Sequence, residues 1–194
     1  MGRHTHPGRG LTRVADKSVA TVRGRARDPL LAIARLAFGF VTALSAVSAS
    51  FFCLAVPFVL VIRERVLAWL VAKGAPPEAI WGIISLQLLA AAAAIFAFFF
   101  FRHLYRIIDT VGAGDPFVPD NASRLMAMGW IAVVSHFLAI PLNLVAQWLA
   151  HYSDRFVVNF GISFAGLLLA LVLFILARVF REGARMREDL EGTV

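Results

Sequence analysis

The chain has 194 residues, of which 60% are hydrophobic and 16% charged, and its formal net charge is +7. Ordinary soluble domains are nearer half apolar and a quarter charged, and here the apolar residues gather in four long runs with nearly all charges between them. That distribution excludes a disordered chain, a disulfide scaffold and a water-soluble fold.

Residues 1–28 are rich in Gly, Arg and Thr and read as a basic, flexible tail without a core. The first 35 residues hold eight Lys/Arg and two Asp, so the basic character belongs to this segment. A topology signal and linker is the plainest use for it. Attraction to anionic lipid is a second, at ~1 kcal/mol per basic group near the surface. Direct nucleic-acid binding is not expected, because no reading module accompanies the charge. Position 6 is His6, so Gly2 does not open a myristoylation motif.

The first apolar run, 36–62, has 27 residues without a charge. A cleaved signal has an apolar region of only ~7–15 residues, so this reads as an uncleaved span. Cys53 lies inside the run; as the one cysteine of the chain it makes no intramolecular disulfide and reads as a packing residue. The connection 63–78 is broken by Gly74, Pro76 and Pro77. The second run, 79–101, has 23 residues. A helical pattern continues past it, with Arg102 and Arg106 on one face and Asp109 one turn on. Gly112 and Gly114 stop that helix. Asp120 and Asn121 are expected to cap the third run, 125–149, whose 25 residues include His136. The fourth run, 156–177, has 22 residues and continues helically through Arg181, Glu182, Arg185 and Glu188.

A bilayer core of ~30 Å needs ~20 helical residues, and every run exceeds that. Lipid offers the backbone no hydrogen bonds, and the runs are continuous rather than alternating, so they span as helices and not as barrel strands. The expectation is an all-α, polytopic membrane protein: a tail, 1–28, then one four-helix transmembrane domain, 29–194. Helices two and four carry extensions into the cytoplasm. Their opposite charges, Arg102 and Arg106 against Glu182 and Glu188, could pair between those extensions. Solvated helix ends are the alternative, and they need no partner. Of the basic residues, 15 fall on the side of the termini and 102–124, and four on the side of 63–78 and 150–155. The positive-inside rule then places both termini in the cytoplasm.

The third helix carries His136, Asn143 and Gln147 within roughly 40° of one another at 100° per residue. Gln87 of the second helix falls at a similar depth. The small faces Thr42–Ser45–Ala46–Ala49 and Asn159–Ser163–Gly166 lie on the first and fourth. Two readings compete. In one, these groups are interhelical glue, each bond contributing ~1 kcal/mol or less. In the other, they line a polar path for a small carrier or channel around His136, since an intramembrane ionisable group is a functional candidate. No Asp, Glu, Lys or Arg lies inside any run to act as counter-ion. Pro57 and Pro141 are expected to kink their helices.

Nothing supports catalysis. His136 has no paired His and Glu on its turn, and His4 with His6 falls short of a metal site. No serine has a recognisable base or oxyanion setting. Gly112 and Gly114 lack the spacing and the Lys of a phosphate loop. A non-enzyme without cofactor or metal is expected.

Two stretches go beyond composition. The loop before the third helix reads Gly114-Asp115-Pro116-Phe117, then Asn121, then Arg124-Leu125. The carboxyl end reads Phe180-Arg181-Glu182-Gly183, then Met186, Glu188, Asp189, Leu190, Glu191, Thr193 and Val194. Over about residues 30–194 this resembles the small bacterial membrane family called domain of unknown function 2975. Members are similar in their four helices, a Gly-x-Pro-Phe loop and a Phe-x-x-Gly arm with an acidic end. Gly192 and Met186 stand where that pattern favours Leu. The resemblance implies a protein of the bacterial inner membrane with no established activity. Its genes often neighbour a small helix-turn-helix regulator. By analogy, it implies a membrane partner that restrains or signals to that DNA-binding protein. The candidate contact residues are then Asp115, Pro116, Phe117, Asn121, Arg124, Arg181, Glu182 and Gly183. Self-association is a further partner class. A tight loop explains the first signature equally well: Pro116 fixes the backbone, Phe117 tucks against the bundle and Asn121 caps a helix.

Overall fold

The computed structural model describes residues 29–152 and 164–191. They form five helices: α1 (Pro29–Val61), α2 (Arg63–Ala72), α3 (Ala79–Gly112), α4 (Pro119–Ala150) and α5 (Phe164–Glu191). Four of these, all but α2, are long and apolar enough to cross a bilayer. The chain is a multi-pass, all-helical membrane protein. Part of the expected fourth span, 156–163, with Asn159 and Ser163, lies outside the described residues, as do the tail 1–28 and Thr193–Val194.

Length follows from sequence. At 1.5 Å per residue, the 33 residues of α1 and the 34 of α3 reach about 50 Å. Each outlasts the apolar core. Pro57 and Pro141 sit inside α1 and α4, and both helices run on through them. α1 stops where Arg63, Glu64 and Arg65 leave the apolar medium, and Ile62 (φ −94°, ψ 19°) turns the chain. The next residues are apolar again, so α2 forms where only a broken connection was expected. Leu70 of α2 is 1% exposed and joins Val59, Ala79, Ile80, Ile84 and Leu149 in one core cluster. Gly74, at φ +71°, then reverses the chain into α3.

The membrane helices stand in a row. α1 packs on α3, α3 on α4 and α4 on α5; among the described residues the backbone of α1 comes close to neither α4 nor α5, and that of α3 does not come close to α5. Glycines set three of the contacts. A Cβ on Gly82 would stand 2.6 Å from the Trp148 ring, one on Gly129 2.5 Å from Phe174, and one on Gly183 2.7 Å from Phe117. Each ring therefore rests on bare backbone, the close approach that small residues permit in lipid. A second cluster, Ile107, Leu125, Met128, Leu173 and Ala177, ties α3, α4 and α5 together near the Gly114 end. The remaining large apolar side chains of α1, among them Phe40, Leu44, Val47, Phe51, Leu54 and Phe58, point outward, as they must when the solvent is hydrocarbon.

The loop and arm at the Gly114 end

The segment 113–118 is short and fixed from every side. Gly114 takes φ +89°, which lets the Asp115 N–H turn back to the Thr110 carbonyl at 3.1 Å. Val118 is extended and Pro119 opens α4, a favoured first position because no donor is lost there. The helix thus starts two residues earlier than a cap at Asp120 requires and three earlier than one at Asn121, and no side chain caps it. Asn121 works differently. It is fully buried, its Nδ2 donates to Thr110 Oγ1 (2.7 Å) and to the Pro116 carbonyl (2.9 Å), and its Oδ1 accepts from Arg124 Nη1 (2.8 Å). One amide thereby joins the last turn of α3, the loop and the second turn of α4. Arg124 also donates from Nη2 to Asp120 (3.0 Å), which holds its guanidinium in place.

The arm of α5 closes onto this loop. Phe117 lies on Gly183 and meets the Phe180 ring at 5.4 Å between centroids. Asp115 pairs with Arg187 one turn further along. The two stretches, whose contacting residues lie 63 to 72 positions apart in sequence, are therefore one unit. Asp115, Pro116, Arg124 and Gly183 are half-buried in it and Asn121 is fully buried, Phe117 keeps one side on Gly183 and the other exposed, and Arg181 and Glu182 stay exposed. Arg185 and Glu182 approach each other at 3.9 Å along the same helix.

Among the described residues Arg102 and Arg106 do not pair with Glu182 or Glu188, in keeping with the reading of solvated helix ends. The row explains it: α4 stands between α3 and α5 and separates the two sets. Asp109 pairs instead with Arg35 of α1 at 3.1 Å, and Arg35 Nε donates to the Tyr105 hydroxyl at 3.0 Å. Arg35, Tyr105, Thr110 and Arg187 were not singled out from the sequence. Arg35 alone had a signal, as the single basic residue at the mouth of the first apolar run.

The polar stripe of α4 does not act as one set. Asn143 is buried and donates to the Ala139 carbonyl of its own helix at 2.8 Å. His136 is half-buried, with Nδ1 against Gly166 of α5. Gln147 is exposed, and its carbonyl accepts from or faces His151 Nδ1 at 2.8 Å. On α3, Gln87 Oε1 is buried and has no hydrogen-bond partner among the described residues. Among the described residues no group of three His, Cys, Asp or Glu gathers for a metal ion.

Residues 36–194 match the family described as "Protein of unknown function (DUF2975)". The match covers most of the chain, and the chain belongs to that family. No curated protein and no solved structure matches it.

Proposed function

We propose that this DUF2975 member is a non-enzymatic regulatory protein of the bacterial inner membrane that holds a cytosolic partner, such as a small helix-turn-helix regulator, on its loop and arm. One observation carries the reading. The two family signatures meet at the Gly114 end as a single rigid unit, through Asp115–Arg187 and Phe117–Gly183. The outward face of that unit still offers Arg181, Glu182, Arg185 and Met186, with Met186 57% exposed. A platform that orders its own interior and leaves mixed charge and soft apolar surface outside suits protein recognition. The excess of basic residues at this end supports a cytoplasmic placement of both termini.

The test is co-expression with a small helix-turn-helix regulator from the same genome. Membrane recruitment of that regulator is expected from the intact chain. Arg181→Glu with Met186→Glu, which alter only outward-facing side chains, should abolish it. Equal recruitment by the double variant overturns the reading.

The carrier or channel reading keeps one observation in its favour, the partnerless Gln87 Oε1 inside the apolar zone.

A further inference from the structure

A cleft of about 500 Å³ opens between the start of α1 and the end of α3. Among the described residues it is lined by Leu31, Ala32, Arg35, Ile108, Asp109 and neighbouring small residues. Its chemistry is mixed by design of the two helices. Leu31, Ala32 and Ile108 give it apolar walls. Arg35 and Asp109 place one cation and one anion side by side, 3.1 Å apart.

That ion pair is held but not saturated. Arg35 uses Nε on the Tyr105 hydroxyl and Nη2 on Asp109 Oδ1. Among the described residues nothing meets its Nη1 or the second oxygen of Asp109. Both side chains are about half exposed, at 57% and 41%. A guanidinium fixed on two edges with the third edge open is a preset phosphate donor. A carboxylate with one oxygen open is a preset ammonium acceptor. The cleft therefore has two adjacent, opposite half-sites.

Its surroundings say what fills it. Leu30, Ile33 and Leu36 flank Arg35, and each is more than 60% exposed. From there the outward row of α1 continues through Phe40 and Leu44 down the membrane span. A molecule with a charged head in the cleft would lay its chains along that row. We propose that this cleft binds the headgroup of a zwitterionic phospholipid, phosphoethanolamine, with the phosphate on Arg35 Nη1, the ammonium on Asp109 and the acyl chains against Leu36 and Phe40. Tyr105 is a positioning residue that sets the guanidinium. An anionic lipid matches only the Arg35 half and meets the Asp109 carboxylate as a repulsive neighbour. This site is independent of the loop and arm.

The experiment uses the full-length chain, extracted from vesicles of equal phosphatidylethanolamine and phosphatidylglycerol, with bound lipid counted by native mass spectrometry. The intact chain should retain phosphatidylethanolamine in excess. Arg35→Gln and Asp109→Asn should each lower that excess about fivefold, the upper end for a partly exposed pair. Ala32→Trp fills the cleft and leaves the ion pair in place, so it should lower the excess while the thermal midpoint stays unchanged. Soluble phosphoethanolamine added at the same concentration should fail to displace the lipid, which separates a lipid site from one for the free headgroup. Equal retention of the two lipids by the intact chain, or an excess that survives Ala32→Trp, overturns the proposal, as does displacement by the soluble compound.

Discussion

Phe117 rests on Gly183, where any Cβ would stand 2.7 Å from the ring. This contact decides how the arm of α5 sits. Gly183→Ala should push the ring off its seat and out of reach of Phe180, at a cost of about 1–2 kcal/mol. The arm should become sensitive to protease at the same time. Phe117→Ala alone should cost a similar amount. The two together should cost clearly less than their sum, because the second change removes what the first one strikes. Additive losses in thermal midpoint would show that the ring and the glycine do not interact.

Asn121 is the tightest point of the loop. Asn121→Leu removes two donors and one acceptor, leaving the Pro116 carbonyl, Thr110 and Arg124 to find new partners. The expected loss is about 2–4 kcal/mol in detergent unfolding. Thr110→Val, which removes one of the three Asn121 bonds and the hydroxyl's local bond to the Ile107 carbonyl, should lose about 1 kcal/mol. A loss for Asn121→Leu no larger than that for Thr110→Val would place the strength of the loop elsewhere.

Orientation is open to direct labelling. Cys53 is replaced by Ser first, because it is exposed on α1. Lys73→Cys and Ala113→Cys are then compared, both at exposed positions. An impermeant maleimide on intact cells should reach position 73 and not position 113. The reverse pattern would invert the topology and remove the cytoplasmic face from the proposed function.

Gln87 separates packing from transport. Gln87→Leu fills the same space without a partnerless oxygen. Where the site is packed, stability should rise by about 1 kcal/mol and function should be unchanged. A drop in stability, or a change in solute uptake by vesicles, would favour a polar path.

Much of this was legible from the chain because lipid makes the rules strict. Four uncharged runs of sufficient length have no alternative to helices, and Gly74 and Gly114 occur where the chain must turn back with positive φ. Helix α2 was not legible. Its apolar face is only Val66, Leu67, Trp69 and Leu70, too brief to stand out between Arg65 and Gly74. The pairing of charges was not legible for a different reason. Helical spacing shows which residues share a face, but it carries no information on which helices are neighbours. Only the row order puts Arg35 opposite Asp109 and keeps Glu182 away from Arg106. The loop and arm were legible as a family pattern, while their contact with each other was not, since nothing in Phe117 or Gly183 taken singly names the other.

The helices meet in series, and that has a consequence for tolerance to damage. A ring of four transmits a fault at one seam to both neighbours; an open file does not. A side chain too large at Gly129 would spread α4 from α5 and leave the α1–α3 seam, with Arg35 on Asp109, standing as before. Lesions at the two outer seams should accordingly add without synergy, and α1 with its partner helix should survive as the last intact piece when the far side comes apart.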